Sequence, residues 1–160
     1  MPIFLKMLTY DRTLWEAPNP NLRIGVLHRS GRPESDANMT AIVDALSRSA
    51  DKTVNDVHFD FRTLSWSDPD EMARKIAAAD VDVVYVTAGH EDVLGEIVGA
   101  TRTAGILTIT GTPGLVKAGL SVGLRLDRDR PRLEVNLAAL DAEGHQLDAR
   151  VLRLCEVVDR

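Results

Sequence analysis

The strongest constraint on how this chain folds is a run of β-branched residues near its middle. Residues 81–86 read Val-Asp-Val-Val-Tyr-Val, which is too apolar for a strand that turns one face to water. Such a strand needs apolar cover on both faces, and helices on the two sides of a parallel sheet provide it. The run therefore predicts an α/β fold with this strand in the middle of the sheet.

Strand-like and helix-like segments alternate on both sides of this run. Short apolar runs at 22–27 and 106–109 predict two more buried strands, with helical spacing of apolar residues between the strands. Residues 57–64 alternate apolar with polar side chains, which predicts a strand near an edge of the sheet. Strands joined through helices run parallel with right-handed crossovers. An open, mostly parallel sheet with helices on both faces is therefore expected.

Three helices are predicted between these strands. The expected N-terminal capping residues are Ser35 or Asp36 for the first helix, and Ser67 or Asp68, followed by Pro69, for the second. The expected inward faces carry Met39, Ile42, Val43 and Leu46 in the first helix, Met72, Ile76 and Ala79 in the second, and Val93, Leu94, Ile97 and Val98 in the third. The third helix is expected to end near Gly105.

The first segment of the chain predicts an additional helix. Its apolar residues fall at helical spacing, and they are Ile3, Phe4, Met7, Leu8 and Leu14. The helix is expected to end before the Asn/Pro cluster at 18–21. Trp15 is expected to pack that turn against the core.

The pattern changes after Gly119. Two strand-like runs flank the charged sequence DRDRP, which predicts an antiparallel hairpin at the end of the sheet. AALDAEG then predicts a short helix with a break at Gly144, followed by a closing helix. The inward residues expected for that helix are Val151, Leu154, Cys155 and Val158.

The bulk properties narrow the class of protein. At 160 residues, 44% hydrophobic and 27% charged, residues 1–160 are expected to form a single globular domain. The net charge of −5 and the scattered arginines argue against a nucleic-acid surface. No apolar stretch approaches the ~20 residues of a membrane span.

No motif points to catalysis, a cofactor or a metal. The 4 histidines fall in separate predicted elements, away from metal-ligand spacing. The glycine-containing loops match neither nucleotide-binding pattern, and no nucleophile elbow is present. Cys155 is the single cysteine, which excludes an intrachain disulfide and predicts a small core residue. We therefore expect a non-enzymatic protein without cofactor or metal.

A ligand site in an open α/β sheet lies at the carboxyl ends of the strands. Here those ends are the loops 28–34, 64–68, 87–91 and 110–113. The candidate ligand-binding residues are Arg29, Ser30, Thr87, His90, Glu91, Thr110 and Thr112. They form a polar set suited to a small anion or polar metabolite.

Two other interpretations of these residues stay open. Hydroxyl and acidic side chains at such positions also cap helices, which gives them a purely structural role. Alternatively, His90 and Glu91 are an acid–base pair of an enzyme. Alanine substitutions that change neither activity nor binding would remove the enzymatic interpretation.

Several strings together resemble the YfiR family, also called the YfiR/HmsC-like proteins. They are FLKMLTYDRTL, LRIGVLHR, VDVVYVTAGHED, ILTITGTPGLVKAGLSVGLRL and RLEVNLAALDAEGHQLDARVLRLCEVV. The resemblance extends over essentially the whole chain. It implies a small exported α/β domain, and the best-known members are periplasmic repressors of a membrane diguanylate cyclase that restrain biofilm formation. Their disulfide-based redox sensing does not carry over to a chain with Cys155 alone.

The resemblance leads to the main functional hypothesis, a periplasmic sensor or regulator in cyclic di-GMP signalling. Its expected partner is the extracytoplasmic part of a membrane diguanylate cyclase or histidine kinase, with a small polar ligand as a further partner. The alternative is a small-molecule-binding module resembling one lobe of a solute-binding protein. A homodimer is also expected, because the helix faces carrying Leu8, Leu14, Trp15 and Val157 offer apolar surface for a second copy.

Overall fold

A computed structural model describes residues 1–16 and 21–158 of the chain. The strands within these ranges are β1 Leu22–His28, β2 Thr53–Val54, β3 Val57–Ser65, β4 Val83–Val86, β5 Leu107–Thr110, β6 Val122–Asp127, β7 Arg130–Val135 and β8 Glu156–Val157. The helices are α1 Pro2–Leu8, α2 Pro33–Arg48, α3 Pro69–Ala78, α4 Leu94–Ala104, α5 Leu137–Ala142 and α6 Ala149–Leu152.

The strands form one sheet in the order β2-β3-β1-β4-β5-β6-β7-β8. Strand β1 pairs in parallel with both β3 and β4, and the parallel pairing continues through β5 to β6. Strands β6 and β7 form an antiparallel hairpin. The prediction of an open, mostly parallel sheet with a C-terminal antiparallel hairpin is confirmed. The hairpin does not end the sheet, however, because β8 pairs in parallel with β7.

Strand β4 lies in the middle of the sheet, as its sequence predicts. All its residues are buried, and they alternate between two apolar clusters on opposite faces of the sheet. Val83 and Tyr85 pack with α1, α2 and α6, whereas Val84 and Val86 pack with α3 and α4. Near-continuous apolar sequence is required because both faces of this strand are covered.

The predicted start of α3 is confirmed, and that of α2 is wrong. The Asp68 carboxylate accepts a hydrogen bond from the Glu71 amide at 3.0 Å, which caps α3. Helix α2 instead starts at Pro33 without a side-chain cap. Its two predicted capping residues reach back into the preceding loop: Ser35 Oγ accepts from the Arg29 amide at 2.7 Å, and the Asp36 carboxylate accepts from Gly31 at 3.1 Å.

The predicted N-terminal helix is shorter than expected. Helix α1 ends at Leu8, and Leu14 belongs to a separate 3₁₀ turn. The Asp11 carboxylate starts that turn by accepting from the amides of Thr13 and Leu14, at 2.9 and 3.4 Å. Trp15 packs on the core and donates its indole N–H to the Leu8 carbonyl at 2.9 Å. Residues 17–20, which include most of the Asn/Pro cluster, lie outside the described residues.

The predicted closing helix is also shorter than expected. Helix α5 and the break at Gly144, with φ +79°, are confirmed. Helix α6 ends at Leu152, and the chain then becomes the edge strand β8. The Val158 amide donates to the Val135 carbonyl at 2.8 Å, so the open edge of β7 provides backbone partners that a helix would leave unused. Leu154, expected to face inward, is 75% exposed.

The apolar faces from which a homodimer was predicted are largely covered by the chain itself. Leu8 and Leu14 are buried in the core, and Trp15 is half-buried against it. Val157 remains exposed on β8. The homodimer therefore stays a prediction, and most of the apolar surface expected to form its interface is buried within the chain.

In the part of the chain that the structure describes, we find no helix with both the length and the apolar character needed to cross a membrane.

Two glycines give a paired test of the fold. Gly99 lies in the exposed interior of α4 with no atom near a Cβ position, whereas a Cβ on Gly123 would overlap the Val116 side chain. We expect Gly99→Ala to raise the free energy of unfolding by about 1 kcal/mol and Gly123→Ala to lower it by about 1–3 kcal/mol. Urea unfolding measures both changes. Equal effects of the two substitutions would contradict the packing of β6 against Val116.

Candidate functional site

The candidate site lies where the chain leaves β1 and β4. After β1 the chain enters α2, which packs on one face of the sheet, and after β4 it enters α4, which packs on the other. The two adjacent strands thus send their connections to opposite faces, which is the arrangement at which open α/β sheets form ligand-binding crevices. We call this place the switch-point crevice. The loops carrying Arg29 and His90 border it.

A chain of hydroxyl groups fastens α2 to the ends of both strands. Thr87 is fully buried and donates its hydroxyl hydrogen to the Leu27 carbonyl at 2.9 Å. Ser35 Oγ lies 2.8 Å from Thr87 Oγ1 and therefore donates to it, since the Thr87 hydrogen is already used. The Thr87 hydroxyl thus links α2 to the end of β1, and it has no hydrogen left to donate to a ligand.

Arg29 joins the loop after β1 to the loop after β4. Its guanidinium donates to the Gly89 carbonyl at 3.3 Å and pairs with the Asp92 carboxylate. Arg32 adds a second contact to Asp92 at 3.6 Å. The hydrogen bond from Arg29 is the main reason that the pKa of Asp92 is lowered from its ordinary value. Arg29 is therefore held in place by the protein before any ligand arrives.

His90 is a buried candidate residue with unused hydrogen-bonding capacity. Its ring is fully buried, and Nδ1 lies 2.9 Å from the Thr87 carbonyl, to which it donates. Within the described ranges, the buried Nε2 has no hydrogen-bond partner. Burial, the largest cause, lowers the pKa of His90, and the nearby Arg29 charge adds to this effect. The imidazole is therefore neutral at neutral pH, with Nε2 as an acceptor.

An aromatic side chain borders this histidine. Trp66, in the loop after β3, meets the His90 ring edge-on, with the ring centres 6.4 Å apart. The Trp66 amide donates to the His28 carbonyl at 2.7 Å, which fixes the start of that loop against β1. Trp66 and His90 thus pack together where the loops after β3 and β4 meet, with the unpartnered ring nitrogen buried there.

The remaining candidate residues are more dispersed. Thr110 is buried at the end of β5, where it donates to the Val86 carbonyl at 2.8 Å and accepts from the Thr112 amide at 3.0 Å. Ser30 and Glu91 are exposed. His90 contacts Thr87 directly, and Arg29 is linked to this pair through Ser35 and Gly89. The ligand-binding role of the set stays a prediction.

The acid–base pair suggested for an enzyme receives no support from the geometry. His90 Nδ1 is engaged by the Thr87 carbonyl, and Nε2 has no partner among the described residues, so Glu91 makes no hydrogen bond to the ring. Glu91 itself is exposed at the start of a 3₁₀ turn.

A buried carboxylate that the sequence does not reveal lies at the opposite end of the sheet from these loops. Glu143 is 1% exposed and accepts hydrogen bonds from the Thr108 amide at 3.0 Å and the Thr108 hydroxyl at 2.8 Å. The Ser121 and Thr101 hydroxyls also donate to it. Burial nevertheless raises the pKa of Glu143 above its ordinary value. In sequence it follows a short helix and looks like any exposed acid at a helix end.

A buried ion pair lies beside this carboxylate. His145 Nδ1 is 2.7 Å from the fully buried Asp11 carboxylate, and its Nε2 is 3.1 Å from the Gly105 carbonyl. Both ring nitrogens face acceptors, so both carry hydrogen and the imidazole is charged. Burial lowers the pKa of His145, but the hydrogen bond and charge of Asp11 outweigh it, and the net shift is upward.

Among residues 1–16 and 21–158, no group of at least 3 His, Cys, Asp or Glu side chains is arranged so that it could hold a metal ion. Cys155 is half-buried, and burial raises the pKa of its thiol.

Comparison with known proteins identifies a family for nearly the whole chain. A family model described as YfiR/HmsC-like matches residues 3–156. No curated protein matches the chain closely enough to count as a relative.

Solved structures share the fold at low sequence identity. A substrate-binding protein with adhesive properties from Clostridium difficile, in a ligand-free open form, has a TM-score of 0.69 at 15% identity, over 86% of this chain and 54% of that one. A conserved domain protein from Vibrio cholerae has a TM-score of 0.67 at 15% identity, over 99% and 58%. An ABC domain in complex with L-Trp from Streptococcus pneumoniae has a TM-score of 0.65 at 12% identity, over 86% and 56%. The chain spans just over half the length of each.

The buried ion pair predicts a measurable pH dependence of stability. Because the pKa of His145 is raised above its ordinary 6.5, its contribution is complete below that pH and is lost as the pH rises through the folded-state pKa. We expect Asp11→Asn to remove the two largest effects that oppose burial, the hydrogen bond and the charge of Asp11, and so to lower the pKa of His145. The stability advantage of the wild type over this variant should therefore shrink as the pH rises above the ordinary histidine pKa of 6.5.

Urea unfolding at several pH values measures this difference. Asp148→Asn is the matched control, because Asp148 pairs with arginines that keep their charge throughout this range. A difference between wild type and Asp11→Asn that stays constant with pH would contradict a charged His145.

Proposed function

The chain belongs to the YfiR/HmsC-like family, and from that membership we propose that it is a non-enzymatic regulatory domain that acts in the periplasm. The match over residues 3–156 is the observation that carries the proposal. It extends from the second residue of α1 to the first residue of β8, so every helix and strand of the described structure is matched at least in part. Regulatory, generally non-catalytic function is what this family is known for.

The structure is compatible with action through protein contacts. The polar side chains of the switch-point crevice are largely bonded to one another, as in the Ser35–Thr87 and Arg29–Asp92 contacts. Loops fastened in this way suit a rigid module that presents a surface to a partner. We propose that the partner is the extracytoplasmic part of a membrane diguanylate cyclase or histidine kinase, in a pathway that uses cyclic di-GMP to control biofilm formation.

Deletion of the gene tests this proposal. If the protein restrains a diguanylate cyclase from the periplasm, deletion should raise cellular cyclic di-GMP and surface attachment. A copy carrying an export signal should restore both, whereas the same copy without one should not. Unchanged cyclic di-GMP after deletion would overturn the proposal. Full restoration by the non-exported copy would overturn the periplasmic site of action.

A second candidate function is recognition of a small polar ligand at the switch-point crevice, in the manner of one lobe of a solute-binding protein. The observation that favours it is the buried, unpartnered Nε2 of His90 beside Trp66. A neutral imidazole there accepts a hydrogen bond, so the ligand would offer an N–H or O–H group. The Arg29 guanidinium would attract an anionic part of the same ligand.

A thermal-shift screen with small carboxylates, amino acids and sugars tests this second function, because a bound ligand raises the melting temperature. We expect a compound that stabilises the wild type to lose its effect on His90→Gln. His58→Gln is the control, since His58 is exposed on β3. A compound that stabilises both variants equally would show binding elsewhere and would contradict a site at His90.

A further inference from the structure

An uncovered apolar groove lies between α1 and the C-terminal segment of the chain. Its volume is about 540 Å³. The apolar side chains in its walls include Ile3 and Met7 of α1, Leu133 of β7, and Leu154 beyond α6. Leu154 is 75% exposed and Ile3 37% exposed. A grouped set of bare apolar side chains marks an interaction surface more often than isolated ones do.

The charges at this groove have one sign. Its charged lining residues are Lys6 and Arg150, each 5.8 Å from the centre of the Tyr10 ring. Arg150 is balanced by Asp148. No carboxylate in the described part of the chain forms an ion pair with Lys6. In a protein with a net charge of −5, the positive charge that Lys6 adds to this rim favours an acidic partner.

The walls of the groove also indicate the shape of that partner. The amides of α1 and of the turn after Ala149 are hydrogen-bonded locally, as in the bonds of Arg153 to Ala149 and of Leu154 to Val151. They offer no row of unpaired backbone groups to an added strand. Recognition at these two walls must therefore use side chains. The outer edge of β7 is unpaired at 130–133, but Pro131 there has no N–H to donate to an added strand. An amphipathic helix laid in a groove makes contacts through side chains, with apolar residues at i, i+3, i+4 and i+7.

We propose that this groove is the docking surface for an amphipathic helix of a protein partner, with carboxylates flanking its apolar stripe. This inference rests on the proposed function, in which the chain acts by binding another protein. It adds the surface that binds and the chemistry of what is bound. The apolar stripe covers Ile3 and Leu154, and the carboxylates face Lys6 and Arg150.

A direct binding measurement tests the groove. The probe is a fluorescein-labelled amphipathic peptide of about 18 residues, with leucines on one face and glutamates along its flank. Its fluorescence anisotropy is measured against the purified protein, beside a peptide with lysine in place of each glutamate. We expect the acidic peptide to bind about tenfold more tightly than the basic one, and the difference to narrow as salt is added.

Substitutions in the groove locate the site. Leu154→Ser should weaken binding of the acidic peptide about tenfold, and Lys6→Glu should reverse the preference between the peptides. Leu137→Ser is the matched control, because Leu137 is an exposed leucine on α5 outside the groove, and it should bind like the wild type. Circular dichroism checks that each variant is folded. Equal binding by wild type and Leu154→Ser would overturn the proposal.

Two other occupants are distinguished by the same variants. Size-exclusion chromatography with light scattering would reveal a dimer that Leu154→Ser dissociates. Sedimentation with vesicles of phosphatidylglycerol would reveal lipid binding that Leu154→Ser abolishes. Either result, without binding of the acidic peptide, would assign the groove to a second copy or to a membrane and overturn the proposal.

Complementation of the deletion strain separates this inference from the function on which it rests. If wild type and Leu137→Ser return cyclic di-GMP to its original level while Leu154→Ser does not, the regulatory function and the docking groove are both supported. If all three restore it, the regulatory function stands and the groove is not its docking surface. If deletion has no effect at all, the function itself fails.

Discussion

The carboxylate of Glu143 is the group on which the C-terminal half of the molecule depends. It binds the amide and hydroxyl of Thr108 in β5 and the hydroxyl of Ser121 before β6. The Ser121 carbonyl in turn accepts from the amide of Asn136, whose side chain caps α5. Helix α5 then leads back to Glu143, so the network closes on itself. Every polar group named in this network has a hydrogen-bond partner. Loss of one partner would leave a buried group unpaired and would lower the free energy of unfolding by about 1–3 kcal/mol.

The strands could be predicted from the sequence because burial on both faces requires a run of consecutive apolar residues. Val83 to Val86 must all be apolar wherever the neighbouring strands lie. No local sequence pattern indicates the Asp11–His145 pair, since its members are 134 residues apart in the chain. The secondary structure of the C-terminal segment was harder still to predict. Apolar spacing around Leu154 fits a helix, but the unpaired edge of β7 decides in favour of a strand, and no local pattern encodes that edge.

For the candidate site, the order of strands and helices predicts where the site lies. It does not predict which side chains there are free to bind a ligand. The carboxyl ends of β1 and β4 are where the connections diverge, and the loops named from the sequence are there. The sequence does not show that Ser35 and Thr87 are used up by the fold, because their bonds join segments that are 52 residues apart. What remains for recognition is His90 Nε2 in the crevice and, on the α1 side, the apolar groove. The two places differ in character, since the first carries a buried polar atom and the second is lined mostly by apolar side chains.

Both edges of the sheet end in two-residue strands, β2 and β8, which leave much of β3 and β7 without an outer neighbour. The unpaired part of β7 carries Pro131, which has no N–H to donate, between two arginines. The unpaired part of β3 carries Asp60 and Arg62. Prolines and charges of this kind prevent strands of neighbouring molecules from adding to a sheet. The domain is therefore protected against runaway polymerisation along its edges when it accumulates at high concentration.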